Sequence, residues 1–430
     1  MENQNERGTD EQRSPWLFVP HLYFLQAIPY FVVNTAATTF FASLGVSLAD
    51  IGHSAGLLQS PWTLKPLWSP AVDLLATKRA WTLATQTLLV AAIASLAFAA
   101  TSSHVVLWTV VVCSTIALAS ATHDIAADGF YLLALDRPTQ AAFVGIRNAC
   151  YRIGRIFVTG TIVFVAGAAE ELAGGKARGW ALAFLAAAAV YGAGVLWCAF
   201  ALPRPETGPD GRRRRPAGDS TPFLASVASF FTQPRIAGIL AFILLYRFGE
   251  SMLTTMSTPF LLKPRQEGGL GLSTADVGLL SGTIGVVALI GGGVLGGLCI
   301  ARFGLRRCLW PMALAMHLPN VLYAWAAFEQ PGRAPIAGVI AIEQFGYGFG
   351  FSAYMVVLMR ISQGRGYSTT IYAISTGIMA LSAQAASYVS GDIAEWLGFG
   401  WFFVAICLSA IPSLATLLFL PKDLESRAAA

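Results

Sequence analysis

Charge is scarce in this chain. Asp, Glu, Lys and Arg make up only 12% of its 430 residues, whereas a soluble domain carries about a quarter because most of its surface meets water. A surface so poor in charge excludes an ordinary water-soluble globule of this length. Metal-centre and disulfide patterns are missing as well. The six cysteines (Cys113, Cys150, Cys198, Cys299, Cys308 and Cys407) stand singly in or beside apolar runs, without CxxC spacing, and read as small buried hydrophobes. No GxxxxGK[ST] phosphate loop occurs, so ATP is not the direct energy source. No HExxH or comparable set of nucleophile, acid and base marks an enzyme. The polar opening MENQNERGTDEQRS is not followed by a short apolar leader with a small-residue cleavage site. The first apolar span is therefore expected to act as the insertion signal. No cofactor, metal ion or nucleic-acid partner is expected.

What the chain has instead is apolar sequence: 55% hydrophobic residues and a mean hydropathy of +0.61. These residues fall in blocks of roughly 20 to 25, about what a helix needs to cross a ~30 Å hydrocarbon core at 1.5 Å per residue. The expected spans are 16–41, 52–72, 81–100, 105–133, 141–168, 180–202, 235–258, 275–300, 309–328, 335–359, 368–388 and 398–420. The reading is an all-α integral membrane protein with twelve transmembrane helices. One connection is long, polar and rich in Pro and Arg (PRPETGPDGRRRRPAGDSTP), and too short for a sizeable sensor domain. It divides the chain into an N-terminal six-helix bundle (1–203), a basic central linker (204–234), a C-terminal six-helix bundle (235–421) and a tail (422–430). With both termini in the cytoplasm, eighteen Lys and Arg lie on that side, Arg212 to Arg215 among them, and five lie opposite. That asymmetry orients both ends inward.

Nine charged residues fall within the expected spans: Lys65, Asp124, Asp128, Arg147, Arg152, Arg155, Arg247, Glu250 and Glu343. Each Arg, Lys or Asp at a helix centre costs about 2.5–3.5 kcal/mol on insertion scales, so such groups face water or one another. Asp124 and Asp128 are four apart and share a helix face. The expectation is a network of these acids with bases on spans 2 and 5. Lys65, His123, Asp124, Arg152, Arg155, Arg247, Glu250 and Glu343 are the candidates for a substrate cavity or for proton coupling. Asp73, Asp128, Arg147 and Arg302 lie nearer the cytoplasmic ends and are the candidates for gating or a charge lock. Arg247 and Glu250, three apart, either serve the site or neutralise each other; Glu343 is either paired across helices or protonated. The excess of positive charge suits a substrate bearing carboxylates, and buried carboxyls beside a histidine are where a proton can load and unload. Trp62 and Trp68 flank Lys65, either as stacking surfaces or as lipid-facing packing. Gly291, Gly292, Gly293, Gly296 and Gly297 read as close helix packing. Pro61, Pro66, Pro70, Gly346, Gly348 and Gly350 are expected bends.

Six plus six helices around a basic central loop resemble the major facilitator superfamily, as does GLCIARFGLRR at Gly297–Arg307, which carries Arg302. The loop SPAVDLLATKR keeps Asp73, Lys78 and Arg79 but lacks the glycine pattern. Within that superfamily, Lys65-Pro-Leu-Trp-Ser-Pro-Ala-Val-Asp73, His123-Asp124-Ile-Ala-Ala-Asp128-Gly129 and Tyr151-Arg152-Ile-Gly154 resemble the AmpG-like branch of the peptide/acetyl-coenzyme A/drug transporter family. The match covers 50–160; the second half resembles only the wider superfamily. The resemblance implies a monomeric, proton-driven importer in the bacterial inner membrane, with anhydromuropeptides (sugar-peptide fragments of the cell wall) as the first expected solute. His123 stands where the branch has Gln, and the chain is shorter than typical muropeptide permeases. A siderophore permease of the pyochelin or rhizobactin type is therefore the alternative, with a drug exporter behind it because direction is not readable here.

Overall fold

A computed structural model describes residues 13–135, 137–204, 230–362 and 368–421. Among these residues the chain is helical, with no strand. Eight helical stretches are long and apolar enough to cross a membrane: Pro15–Ser43, Lys78–Thr101, Val105–Ala134, Gly145–Leu172, Lys176–Ala201, Ile236–Leu262, Thr274–Phe303 and Ile374–Phe419.

Small residues fill much of the inner face of these helices, between a few large rings such as Trp180, Phe184, Tyr191 and Phe130. Along Lys176–Ala201 the buried positions include Ala183, Ala187 and Ala188, while Leu182, Leu185, Leu196 and Phe200 are exposed. Along Val105–Ala134, Cys113, Ala117, Ser120 and Ala127 are buried, and Leu107, Val111, Leu118 and Leu132 are exposed. This is the pattern of helices in lipid: hydrocarbon solvates Leu as well as a protein core does, so small residues gain most by packing. Gly292 and Gly348 take this furthest. A Cβ at Gly292 would sit 2.0 Å from the Phe345 carbonyl oxygen, and one at Gly348 would sit 2.1 Å from that of Leu289.

Several expected spans are broken. The one placed at 52–72 is observed as Leu48–Leu58, Ser60–Leu64, a 3-10 turn Lys65–Leu67 and Ser69–Leu75. Pro61, Pro66 and Pro70 lack the N–H that would carry one helix through. The span at 235–258 is two helices, Ile236–Leu245 and Phe248–Leu262, meeting at Tyr246 and Arg247. Helices Leu305–His317 and Asn320–Glu329 meet at Pro319. The last long stretch, Ser368–Thr416, turns at Gly398, whose φ is +72°.

The chain forms two compact units, 1–40 with 58–218 and 41–57 with 219–430. In the first, Val19–Phe31 packs on Arg137–Ile156 and Val105–Ala134, and Lys78–Thr101 packs between Val105–Ala134 and Lys176–Ala201. In the second, Val286–Phe303 and Leu305–His317 pack on Arg333–Ser362, and Phe248–Leu262 packs on Ser368–Thr416. Helix Leu48–Leu58, up to Leu57, belongs to this second unit. There His53 stacks on Tyr388 at 4.5 Å and its Nε2 lies 2.9 Å from Asp392 Oδ2.

Candidate functional site

The first unit gathers its charges around two acids on Val105–Ala134. Asp124 and Asp128 are separated by about one helical turn, so both face Val19–Phe31. That helix presents matching donors three residues apart. Gln26 Nε2 donates to Asp124 Oδ1 at 2.9 Å, and the Tyr23 hydroxyl donates to Asp128 Oδ1 at 3.1 Å. Each acid also meets a cation. Lys65 Nζ lies 3.8 Å from Asp124 Oδ2, and Arg147 Nη2 lies 2.9 Å from Asp128 Oδ1. Lys65 opens the 3-10 turn at the proline-broken stretch, which is how a lysine in an apolar span reaches inward. The Arg147 guanidinium is stacked 4.3 Å from the Tyr23 ring and 5.5 Å from that of Tyr131.

The two pairs differ in access to water. The Asp124 side chain is 15% exposed and that of Asp128 42%. Aromatic side chains border the drier one. Trp62 meets Tyr30 edge-on at 5.0 Å, Tyr30 meets Phe31, and Phe31 meets Tyr151. The Arg155 guanidinium lies 5.3 Å from the centre of the Phe31 ring. Trp68 is held by a bond from its indole nitrogen to Thr122 Oγ1 at 3.2 Å. An ammonium, a carboxylate and several flat rings together can hold a solute carrying both charge and sugar or aromatic faces.

Two expected members stand elsewhere. His123 precedes Asp124, but one residue turns a helix by about 100°. Its ring is fully buried against Gln86 of Lys78–Thr101, at 3.2 Å between Nε2 and Nε2, on the side where those two helices pack. Arg152 is exposed on its helix, and no contact among the described residues joins it to Asp124. Asp73 lies in helix Ser69–Leu75, but its side chain is outside the described residues. Lys78 is buried, with its stem against Gly129, where a Cβ would lie 2.8 Å from Lys78 Cε.

The second unit holds a separate cluster. Arg247 sits at the break between two helices, hydrogen-bonded to the Tyr347 hydroxyl and 4.6 Å from the Phe351 ring centre. No ion pair joins it to Glu250 among the described residues. Glu250 and Glu343 are both fully buried and within hydrogen-bonding range of each other. Asn320 Nδ2 donates to Glu250 Oε2 at 3.0 Å, Gln344 Nε2 donates to both Glu343 oxygens, and Tyr323 lies beside Glu343. Arg302 is exposed at the end of Val286–Phe303, beside the Phe303 ring. No group of three or more His, Cys, Asp or Glu side chains suited to a metal ion occurs among the described residues.

Gln26, Tyr23, Asn320 and Tyr323 were not among the expected site residues. Gln26 and Asn320 carry one signal, a lone amide inside an apolar run. Nothing in the sequence names their partners, which lie 98 and 70 residues away.

Cross-helix charge pairs set among long apolar helices are the marks of a multi-pass membrane protein. The model of the Major Facilitator Superfamily matches residues 22–383, and the chain belongs to that superfamily. Its relatives in sequence are of the AmpG-like branch. The anhydromuropeptide permease of Escherichia coli K12 is 27% identical over 435 residues, covering 99% of this chain and 83% of the relative. A putative transporter, AmpG 4, of Rickettsia felis is 22% identical, covering 94% and 96%. In fold, a nucleoside transporter superposes with a TM-score of 0.73 at 15% identity, covering 93% of this chain and 98% of that one. A D-xylose-proton symporter does so with 0.68 at 14%, covering 94% and 97%.

Proposed function

We propose that this protein is a proton-coupled importer of anhydromuropeptides, working as a monomer in the bacterial inner membrane. The observation that carries the reading is the Lys65–Asp124–Gln26 group and its aromatic border, in a chain similar over 99% of its length to an anhydromuropeptide permease. A muropeptide offers what such a site recognises: carboxylates for Lys65 and Arg155, sugar faces for Trp62 and Tyr30, and amides for Asp124 and Gln26. Asp128 with Arg147, in the wetter position, acts as a charge lock, and Asp73 and Arg302 serve gating each within its own unit. In this reading the chain has twelve spans in two bundles, with both ends and the basic 204–234 linker on the cytoplasmic side. The excess of Lys and Arg in the loops assigned to that side supports the orientation. A siderophore permease finds no support among the relatives.

Uptake into membrane vesicles tests it. Labelled anhydromuropeptide accumulates when an inward proton gradient is imposed, and a labelled ferric siderophore does not. Asp124→Asn abolishes accumulation while the protein remains inserted. Accumulation unchanged by collapse of the proton gradient would refute the coupling, and absence of muropeptide uptake the substrate.

A further inference from the structure

The second unit contains an arrangement that an ordinary buried ion pair does not explain. Glu250 and Glu343 lie on different helices, both with no exposed surface, and face each other within hydrogen-bonding range. Two ionised carboxylates cannot hold that geometry: each oxygen accepts, neither donates, and the charges repel in a low dielectric. A proton between them turns the same geometry into a short, strong O–H···O bond. The surroundings are built for one negative charge. Asn320 and Gln344 supply amide donors and Tyr323 a hydroxyl, and Arg247 stands one helical turn from Glu250 with its guanidinium turned to Tyr347 and Phe351. Glu250 Oε1 and Asn320 Oδ1 are buried acceptors with no hydrogen-bond partner among the described residues.

Leu305–His317 brings one base near the cluster: His317 is buried, its Nε2 lies 2.8 Å from Ser413 Oγ, and its ring meets that of Tyr246 edge-on at 5.7 Å. Ser368–Thr416 brings hydroxyls, with Ser387 bonded to Thr255 at 2.9 Å and Ser409 beside Gly249. Tyr246 flanks the pair from the preceding helix break, and Tyr347 reaches it through Arg247. The occupant that fits is a proton. A sodium ion needs five or six oxygens in a shell, and three of the groups here already present donors.

We propose that the Glu250–Glu343 pair is the site that carries the coupled proton. It takes one proton from water on the side of higher proton concentration, forming a single O–H bond, and returns it to water on the other. Arg247 holds the charge of the deprotonated pair. This inference rests on the proton-coupled reading given above.

The test uses the purified full-length chain in proteoliposomes. Under an inward proton gradient the wild type concentrates labelled anhydromuropeptide several-fold. Glu250→Gln and Glu343→Gln bring the internal level only to that outside, while exchange of internal for external muropeptide, which needs no net proton movement, continues at a rate within about threefold of wild type. Either variant concentrating muropeptide as the wild type does overturns the proposal, as does accumulation driven by a sodium gradient at equal pH. A second measurement needs neither variant nor solute. Dicyclohexylcarbodiimide reacts with protonated carboxyls in apolar surroundings, and peptide mass spectrometry of the wild type should find the N-acylurea on Glu250 or Glu343, diminishing as pH rises. Modification of neither glutamate overturns the proposal. Failure of the wild type to carry muropeptide removes the substrate reading and leaves the carbodiimide result to judge the pair.

Discussion

Two acids one helical turn apart, each with one donor from Val19–Phe31, allow a paired test of what burial does to a polar contact. The perturbations are Gln26→Leu and Tyr23→Phe, each close to the original volume, so the packing at these buried positions is kept. Gln26 donates at 2.9 Å to Asp124, whose side chain is 15% exposed, and water cannot readily take its place. A hydrogen bond to a charged group contributes about 1.5–3 kcal/mol. At a factor of ten per 1.36 kcal/mol, its loss lowers kcat/KM for muropeptide uptake by roughly 10- to 100-fold. Tyr23 donates to Asp128, which is 42% exposed and keeps Arg147 at 2.9 Å. Screening by water holds that loss below about 1 kcal/mol, or roughly fivefold. Initial uptake rates over a range of solute concentrations, normalised to inserted protein, measure both. Tyr23→Phe proving as damaging as Gln26→Leu, or both being silent, would refute the assignment of the drier pair to the solute.

Neutralising both Lys65 and Asp124 (Lys65→Met with Asp124→Asn) leaves a better-inserted protein than Lys65→Met alone, because the single change strands a carboxylate of low exposure; the amount of folded protein after mild detergent extraction measures this, and neither form accumulates muropeptide. His123→Gln keeps an amide against Gln86 on the packed side of its helix, so uptake changes less than about threefold and its pH profile keeps its shape; a shifted profile would return His123 to the site. Gly391→Val places a Cβ 1.9 Å from the Leu48 carbonyl oxygen, a backbone atom that has to move, at about 1–3 kcal/mol or more. The detergent-solubilised protein should then melt several degrees lower, whereas Gly377→Ala, with nothing within 4 Å of its Cβ, should melt as wild type.

Long apolar blocks announce their helices because lipid demands both length and composition, and 105–133 became Val105–Ala134 almost residue for residue. The interruptions were harder to read. Pro66 and Pro70 mark the break around Lys65, yet Pro29 and Pro259 sit inside continuous helices, so proline alone does not say where a chain bends. The break at Tyr246–Arg247 has no proline at all. Within the site, a spacing of four was enough to put Asp124 and Asp128 on one face, since helix geometry is local. What faces them was not legible: Lys65 and Arg147 stood among several candidate bases, and depth along a span does not distinguish Arg147, which turns inward, from Arg152, which is exposed. Adjacency misled at His123 for the same reason, as one step along a helix moves a side chain by over a quarter turn.

The two units handle buried charge in opposite ways, and the difference bears on mechanism. In the first, each acid has a cation and a neutral donor, so the ionised form is compensated, and partial exposure lets a solute's carboxylate or amide compete for Lys65 or Asp124. In the second, two acids with no exposed surface have amides and a hydroxyl beside them, and Arg247 is turned toward aromatic rings. A large, polar muropeptide cannot compete for groups with no exposed surface, whereas a proton needs no room. Replacing a compensated pair should therefore alter the apparent affinity for muropeptide, and replacing an acid of the sealed pair should alter the dependence on the gradient and leave affinity nearly unchanged. The division of labour between Asp124 and Glu250 thus becomes a separation of KM from driving force, measurable in one set of vesicles.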